Sequence, residues 1–524
     1  MLRKIRVYLA LLCFSFITLL FLDFTGTLHL WLGWLAKMQV VPAILAGNLV
    51  LITVLFVLTV LFGRIYCSVI CPLGVLQDCV SNVSARRKGK KNRFNYSKAM
   101  SWIRYGIFGL YVVGVIVGIS VIVTLLDPYA IFGRIAENLL APLYRLGNAF
   151  LATLAESVNS YRFYTTDVWI KNGLVFGIAI AMLIIVSVMA WYNGRIYCNS
   201  VCPVGTTLGF ISRFSIYRIR FNEDKCTGCG LCEKRCKASC IDSRNKLIDY
   251  SRCVTCFNCI ENCKSGAITY TPSFSFGTRK VKVSDPLLKK EHAMVRENTK
   301  GIERASFLAI LGSLTLANTI KAQQLQVDGG LADIIDKKVP DRQTPVVPPG
   351  AESLSNMKRR CVACQLCVSA CPNNILRPSG KLSTFMQPEM SFERGYCRPE
   401  CVECSRVCPS GAIKEITAAD KSAISIGHAV WIKDNCVVYT EELVCTTCER
   451  HCPTKAITLV PVNPESEQPQ GPSMGFPGMN RRPVLKYPVV DKELCIGCGA
   501  CEYLCPARPF SAMYVEGNVR HHTV

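Results

Sequence analysis

The sequence predicts a multidomain architecture: a four-helix transmembrane bundle followed by small α+β modules built around cysteine-bound clusters, one module for two clusters and one for four. Three observations carry that expectation. The 524 residues are 50% hydrophobic with a mean hydropathy of +0.27, high for a chain that also holds so many cysteines. Apolar residues concentrate in four long runs, all before residue 195. Of the 31 cysteines, 24 fall into six runs of four.

The runs define the chemistry. Cys361, Cys364, Cys367 and Cys371, like Cys495, Cys498, Cys501 and Cys505, have the spacing C-x2-C-x2-C-x3-C-P of bacterial iron–sulfur proteins. Cys397, Cys401, Cys404, Cys408 and Cys436, Cys445, Cys448, Cys452 are stretched before the second cysteine but keep the C-x2-C-x3-C-P ending. Cys226, Cys229, Cys232, Cys236 and Cys253, Cys256, Cys259, Cys263 keep the spacing, with Lys237 and Lys264 in place of proline. Three thiolates on one tight turn cap three corners of a cubane, and the fourth comes from the partner run. Six runs therefore predict six [4Fe–4S] clusters in bacterial-type ferredoxin modules, with Cys263 completing the first inner cluster and Cys236 the second. Zinc sites place a longer insert between cysteine pairs, and disulfide frameworks belong to small secreted domains. How the four C-terminal runs pair is open: neighbours, or the first with the last and the middle two together.

Taken in order, residues 1–215 are a four-helix membrane domain, with apolar spans to about Phe24 and near 39–62, 103–126 and 172–192; a ~30 Å hydrocarbon core needs about 20 residues. Residues 64–104 hold nine Lys/Arg against one acid, Asp78, whereas 127–171 are balanced, so the positive-inside rule puts the former in the cytoplasm and the latter outside. The net charge of +23 is densest at Arg86–Arg93, between two spans, which fits membrane topology and gives no nucleic-acid signal. Residues 216–275 form a cytoplasmic two-cluster module and 276–304 a basic linker. The uncharged stretch within 305–322 predicts a fifth transmembrane helix, against a buried or interfacial one. A flexible tether, 323–355, then leads to a four-cluster domain, 356–524, on the periplasmic side, with a Pro/Gly-rich surface loop at 461–483.

At the cytoplasmic ends of spans two and four stands one repeated phrase, Gly63-Arg-Ile-Tyr-Cys67-x3-Cys71-Pro72 and Gly194-Arg-Ile-Tyr-Cys198-x3-Cys202-Pro203. Repetition after a helix pair points to internal duplication. Cys67, Cys71, Cys198 and Cys202 are candidate cofactor-binding residues in a redox or metal role; buried thiols can also pack as small apolar groups.

On these motifs, residues 1–275 resemble the NapH family of quinol-dehydrogenase membrane components, related to NosR, MauN and CcoG, and residues 300–524 resemble NapG-type exported four-cluster ferredoxins. Of the arginine pair usual in NapG-type export signals only Arg304 stands here, followed by Phe307-Leu308. The resemblance implies a multi-pass protein of a prokaryotic cytoplasmic membrane. It would pass electrons from quinol or a cytoplasmic donor to a periplasmic reductase or cytochrome. The rival reading, from CcoG-like relatives, is an assembly or maturation factor handling metal or redox state for a respiratory complex. There is no C-x-x-C-H and spans two to four contain no histidine, so no haem is expected, nor a covalent flavin. No acid–base pair or nucleophile is visible, so no catalytic residue is assigned. A quinone is the mobile partner that could bridge the helices, which offer no recognisable cofactor of their own.

Overall fold

The computed structural model describes residues 1–23, 25–87, 94–157, 159, 168–272, 335–462 and 484–524. The predicted fifth transmembrane helix, the basic linker and nearly all of the 461–483 loop lie outside the described residues. The chain divides into two units, Met1–Phe274 with Val339–Val524, and Ser275–Lys338.

Apolar composition makes the first half helical, and each helix is bounded by residues suited to its ends. Asn48 accepts a hydrogen bond from the Leu51 N–H to start Leu49–Phe62, and Asn172 accepts from Leu174 and Val175 to start Gly173–Asn193. Both helices stop at a glycine with positive φ, Gly63 and Gly194, each opening the repeated phrase. After the phrase come Pro72–Arg87 and Pro203–Ser212. The helices exchange partners: Pro72–Arg87 packs on Gly173–Asn193, and Pro203–Ser212 on Leu49–Phe62. The duplication legible in the sequence is thus an interlocked pair.

Two helices, Leu2–Leu22 and Gly173–Asn193, are long and apolar enough to cross a membrane by length and composition. The two middle spans, expected to be continuous, are broken. Residues 39–62 form Val40–Ala46 and Leu49–Phe62, separated at Gly47 in the left-handed region. Residues 103–126 form Ser101–Val117 and Ser120–Leu126, separated at Gly118. A glycine adopts that conformation without a Cβ clash, which ends a helix that hydropathy alone would continue. Leu49, Val50, Leu110 and Ile116 are exposed on these elements, an apolar outer surface suited to lipid contact.

Residues 127–171 also depart from expectation. Instead of an irregular loop, Pro128–Ile135, a π-helical turn Ala136–Leu140, and Ala141–Glu156 form a helical insert. All eight residues of Pro128–Ile135 are buried, with Tyr129 and Phe132 against Phe21.

The inner module is closed by strand Tyr217–Phe221 pairing antiparallel with Ile268–Pro272. In the outer domain Ile424–Trp431 pairs antiparallel with Met513–Thr523, and Ile457–Pro461 with Lys486–Val490. The described end of the expected flexible tether is packed. Val346, Val347 and Ala351 are buried, the Met390 N–H donates to the Val346 carbonyl and the Gly517 N–H to the Thr344 carbonyl.

Candidate functional site

The inner module brings its two cysteine runs together by reciprocal turns. Its short helices, Leu231–Lys234 and Asn258–Asn262, each follow a left-handed residue, Gly230 and Phe257. One cavity is lined by Cys226, Cys229, Cys232 and Cys263. Cys236 is the cross-run neighbour of Cys256 and Cys259. Cys263 thus stands with the first run and Cys236 with the second. The spare thiol Cys240 stands 3.5 Å from Cys236 Sγ and also hydrogen-bonds Cys253, so it touches two members of the second set.

The outer domain answers the open question of pairing. Cys371 lines one cavity with Cys397, Cys401 and Cys404, and Cys408 is the neighbour of Cys361, Cys364 and Cys367. Cys452 stands with Cys495 and Cys498, while Cys436 and Cys505 share one buried cluster with Cys445. Neighbouring runs therefore pair. The Cys397 N–H donates to the Cys498 carbonyl at 2.9 Å, which joins the two pairs. Burial pushes the Cys232 thiol up to about 11 and the Cys448 thiol to about 12. Such groups are neutral until iron displaces their protons.

Among the described residues no three His, Cys, Asp or Glu side chains are close enough to share one metal ion.

Between these modules lies the repeated phrase. Cys67, Cys71, Cys198 and Cys202 are all buried and unbridged, within electrostatic reach of one another. Each repeat braces the other. Arg64 Nη2 donates to the Cys198 carbonyl at 3.1 Å, and Arg195 Nη1 to the Cys67 carbonyl at 2.6 Å. A Cβ on Gly74 would overlap the Cys67 carbonyl and crowd Arg195; one on Gly205 would overlap the Cys198 carbonyl and crowd Arg64. Asp78 anchors Arg195 at 2.9 Å and also pairs with Arg6 and Lys237, tying the first helix and the inner module to the junction.

The junction touches both cluster modules. Arg64 and Arg104 donate to the Ser251 carbonyl, two residues before Cys253. On the other side, Gly133 packs against the Cys364 backbone and Asn138 Nδ2 donates to Gln365 Oε1 at 2.8 Å. Asp127, Tyr129 and Arg134 occupy the intervening space; Arg134 is fully buried, and its three nitrogens lack a hydrogen-bond partner.

Sequence reasoning missed Gly74 and Gly205, although both follow Cys-Pro at the same offset. It also missed Gln77, Asp127 and Arg134, which carry no motif. Of the histidines, His29 pairs with Asp23 and His451 Nδ1 lies 2.9 Å from the Thr447 carbonyl, so neither is directed at a cysteine set.

Comparison with known proteins agrees with the cysteine map. Residues 45–91 and 175–222 match a family described as a 4Fe-4S binding domain, as do residues 219–242 in a second such family. Residues 360–412 and 443–508 match a 4Fe-4S dicluster domain. An uncharacterised protein of Methanocaldococcus jannaschii is 34% identical over 105 residues, 20% of this chain and 42% of that protein. The methylamine utilization ferredoxin-type protein MauM of Methylobacillus flagellatus is 31% identical over 167 residues, 30% of this chain and 62% of that protein. The chain thus spans less than two thirds of the length of either. The ferredoxin-type protein NapG of Escherichia coli is 32% identical over 187 residues, 33% of this chain and 74% of NapG. No solved structure matches. Cysteine runs, their pairing and these relatives converge: the chain belongs to the ferredoxin-type 4Fe–4S proteins that include NapG and MauM.

Proposed function

We propose that this protein is a transmembrane electron conduit, a NapH-type membrane component fused to a NapG-type ferredoxin. It takes electrons from quinol, or from a cytoplasmic donor, at the inner module. It delivers them through the outer domain to a periplasmic reductase or cytochrome. The observation that supports the reading is the continuity of candidate carriers. Inner cysteine sets, four buried thiols and the Cys364 set succeed one another through packed side chains, with Ser251 on one flank and Gly133 on the other. Six [4Fe–4S] clusters, held by the 24 cysteines of the runs, supply one-electron transfer. The chain's own residues set their spacing, exclude water and donate hydrogen bonds to sulfur, which tunes potential. The apolar outer surface and the two long apolar helices support a multi-pass membrane location.

The decisive measurement places the C-terminus. Alkaline phosphatase fused after Val524 should be active, and a cytoplasm-only fluorescent protein fused there should be dark. Fluorescence without phosphatase activity would sink the conduit, since all clusters would then share the cytoplasmic face.

A further inference from the structure

We infer that Arg134 and Tyr129, on a buried helix of the helical half, are the polar partners of the cluster bound by Cys361, Cys364, Cys367 and Cys408, and that the Arg134 charge holds up that cluster's midpoint potential. Their helix, Pro128–Ile135, lies outside every matched segment, 45–91, 175–222, 219–242, 360–412 and 443–508. The inference needs only the cysteine set of the outer domain, and so stands apart from the conduit reading.

Packing is the first support. A Cβ on Gly133 would overlap the Cys364 carbonyl and crowd the Phe21 ring, so glycine lets the helix meet the cysteine backbone directly. Asn138 Nδ2 donates to Gln365 Oε1 at 2.8 Å, and Lys171, paired with Glu137 at 2.7 Å, donates to the Val368 carbonyl at 3.0 Å. The stretch around Cys367 is thus gripped from outside its own module at residues 364, 365 and 368. Tyr129 lies within electrostatic reach of Cys364 and Cys408, ligands that come from different runs, and Arg134 within reach of Cys364. Arg134 is also within reach of Tyr197, beside Cys198, so it stands between the junction and the outer set.

Unanswered polarity is the second support. Arg134 and Tyr129 are each 1% exposed, and neither the three guanidinium nitrogens nor the hydroxyl has a hydrogen-bond partner. A guanidinium buried without acceptor or anion is strongly unfavourable. The carboxylates nearby do not answer it: one Asp127 oxygen accepts from the Ala130 N–H while the other is unpartnered, and Glu137 is held by Lys171. A cubane core bound by four thiolates is a dianion when oxidised and a trianion when reduced, with sulfurs that accept hydrogen bonds. It supplies both the charge and the acceptors that Arg134 and Tyr129 lack. Reduction adds one electron and breaks no bond, and a fixed cation in an enclosed site favours the more negative state.

The test uses the full chain, purified anaerobically in detergent, with redox titration followed by electron paramagnetic resonance. Arg134→Gln should lower the midpoint potential of one centre at unchanged iron content, by on the order of tenfold in its reduction equilibrium, about 59 mV for one electron. Arg134→Lys, which keeps the charge, should restore most of that shift. The centre must be the one whose signal is altered in Cys364→Ser. Tyr129→Phe should lower the same centre by less. No shift in Arg134→Gln, an equal shift in Arg134→Lys, or a shift confined to another centre would overturn the inference. Should Arg134→Gln fail to accumulate, Tyr129→Phe decides, since it removes only a hydroxyl; an unmoved potential there would refute the pairing. The reporter fusions can fail while the potential shifts as expected, and the reverse, so the two ideas fall separately.

Discussion

The ferredoxin modules and the four-thiol junction solve the same problem, the gathering of cysteine sulfurs, by opposite means. In the inner module three cysteines of each set sit on one short stretch, with a left-handed residue, Gly230 or Phe257, between the second and third, and only the fourth is imported. At the junction two distant stretches each supply two thiols, and nothing local fixes their distance. That task falls to Arg64 and Arg195, each reaching across to the other repeat's backbone. Local geometry makes the modules tolerant of their surroundings, whereas the junction depends on a few buried, irreplaceable contacts.

The largest effect should come from breaking the bracing. Arg195→Leu removes the principal partner of buried Asp78 and should destabilise the helical half by about 3–5 kcal/mol. Arg406→Leu in the outer domain loses only an exposed pair with Glu403 and should cost less than about 1 kcal/mol. Unfolding of the two purified variants in detergent would measure the gap; equal costs would mean that the junction is no more dependent on its charges than the modules are.

Glycines sharpen the contrast at intermediate scale. Gly205→Ala places a Cβ into the Cys198 carbonyl and should cost roughly 1–3 kcal/mol by overpacking. Gly228→Ala meets open space, and its penalty is the positive φ alone, about 1 kcal/mol. Thermal midpoints of the two variants should fall in that order.

The smallest expected effect is an acid sensitivity confined to the outer domain. Burial holds His521 down to about 4, with His522 adding to the shift and Glu352 opposing it. The folded state therefore takes up a proton less readily than the unfolded one, whose histidine titrates near 6.5. The stability this contributes is complete above about pH 6.5 and is lost as pH falls toward 4. His521→Phe should flatten the decline of the denaturant midpoint between pH 7 and pH 5; an unchanged decline would remove His521 as its source.

How far these features were legible depends on how local they are. The six cysteine runs could be read because each is a contiguous stretch. Their pairing in the outer domain could not, because Cys371 joins the set of Cys397, Cys401 and Cys404 only through tertiary packing. Hydropathy located the apolar spans but averaged over Gly47 and Gly118, single residues whose backbone breaks two of them. It also misjudged Pro128–Ile135, because Asp127 and Arg134 made a buried helix look like part of a charge-balanced loop. The repeated phrase was plain, but its reciprocal arginines emerge only when both copies are folded together.

That reciprocity has a consequence for how the protein is made. Cys67 and Cys71 leave the ribosome well before Cys198 and Cys202, by on the order of ten seconds at ordinary elongation rates. Throughout that interval Arg64 has no partner carbonyl, Gly205 has not been made, and the first two thiols stand without the wall that will enclose them. Completion of the junction is therefore a late event in biogenesis, gated by synthesis of the second repeat, and a chain truncated before Pro203 would carry the first phrase intact yet never close it.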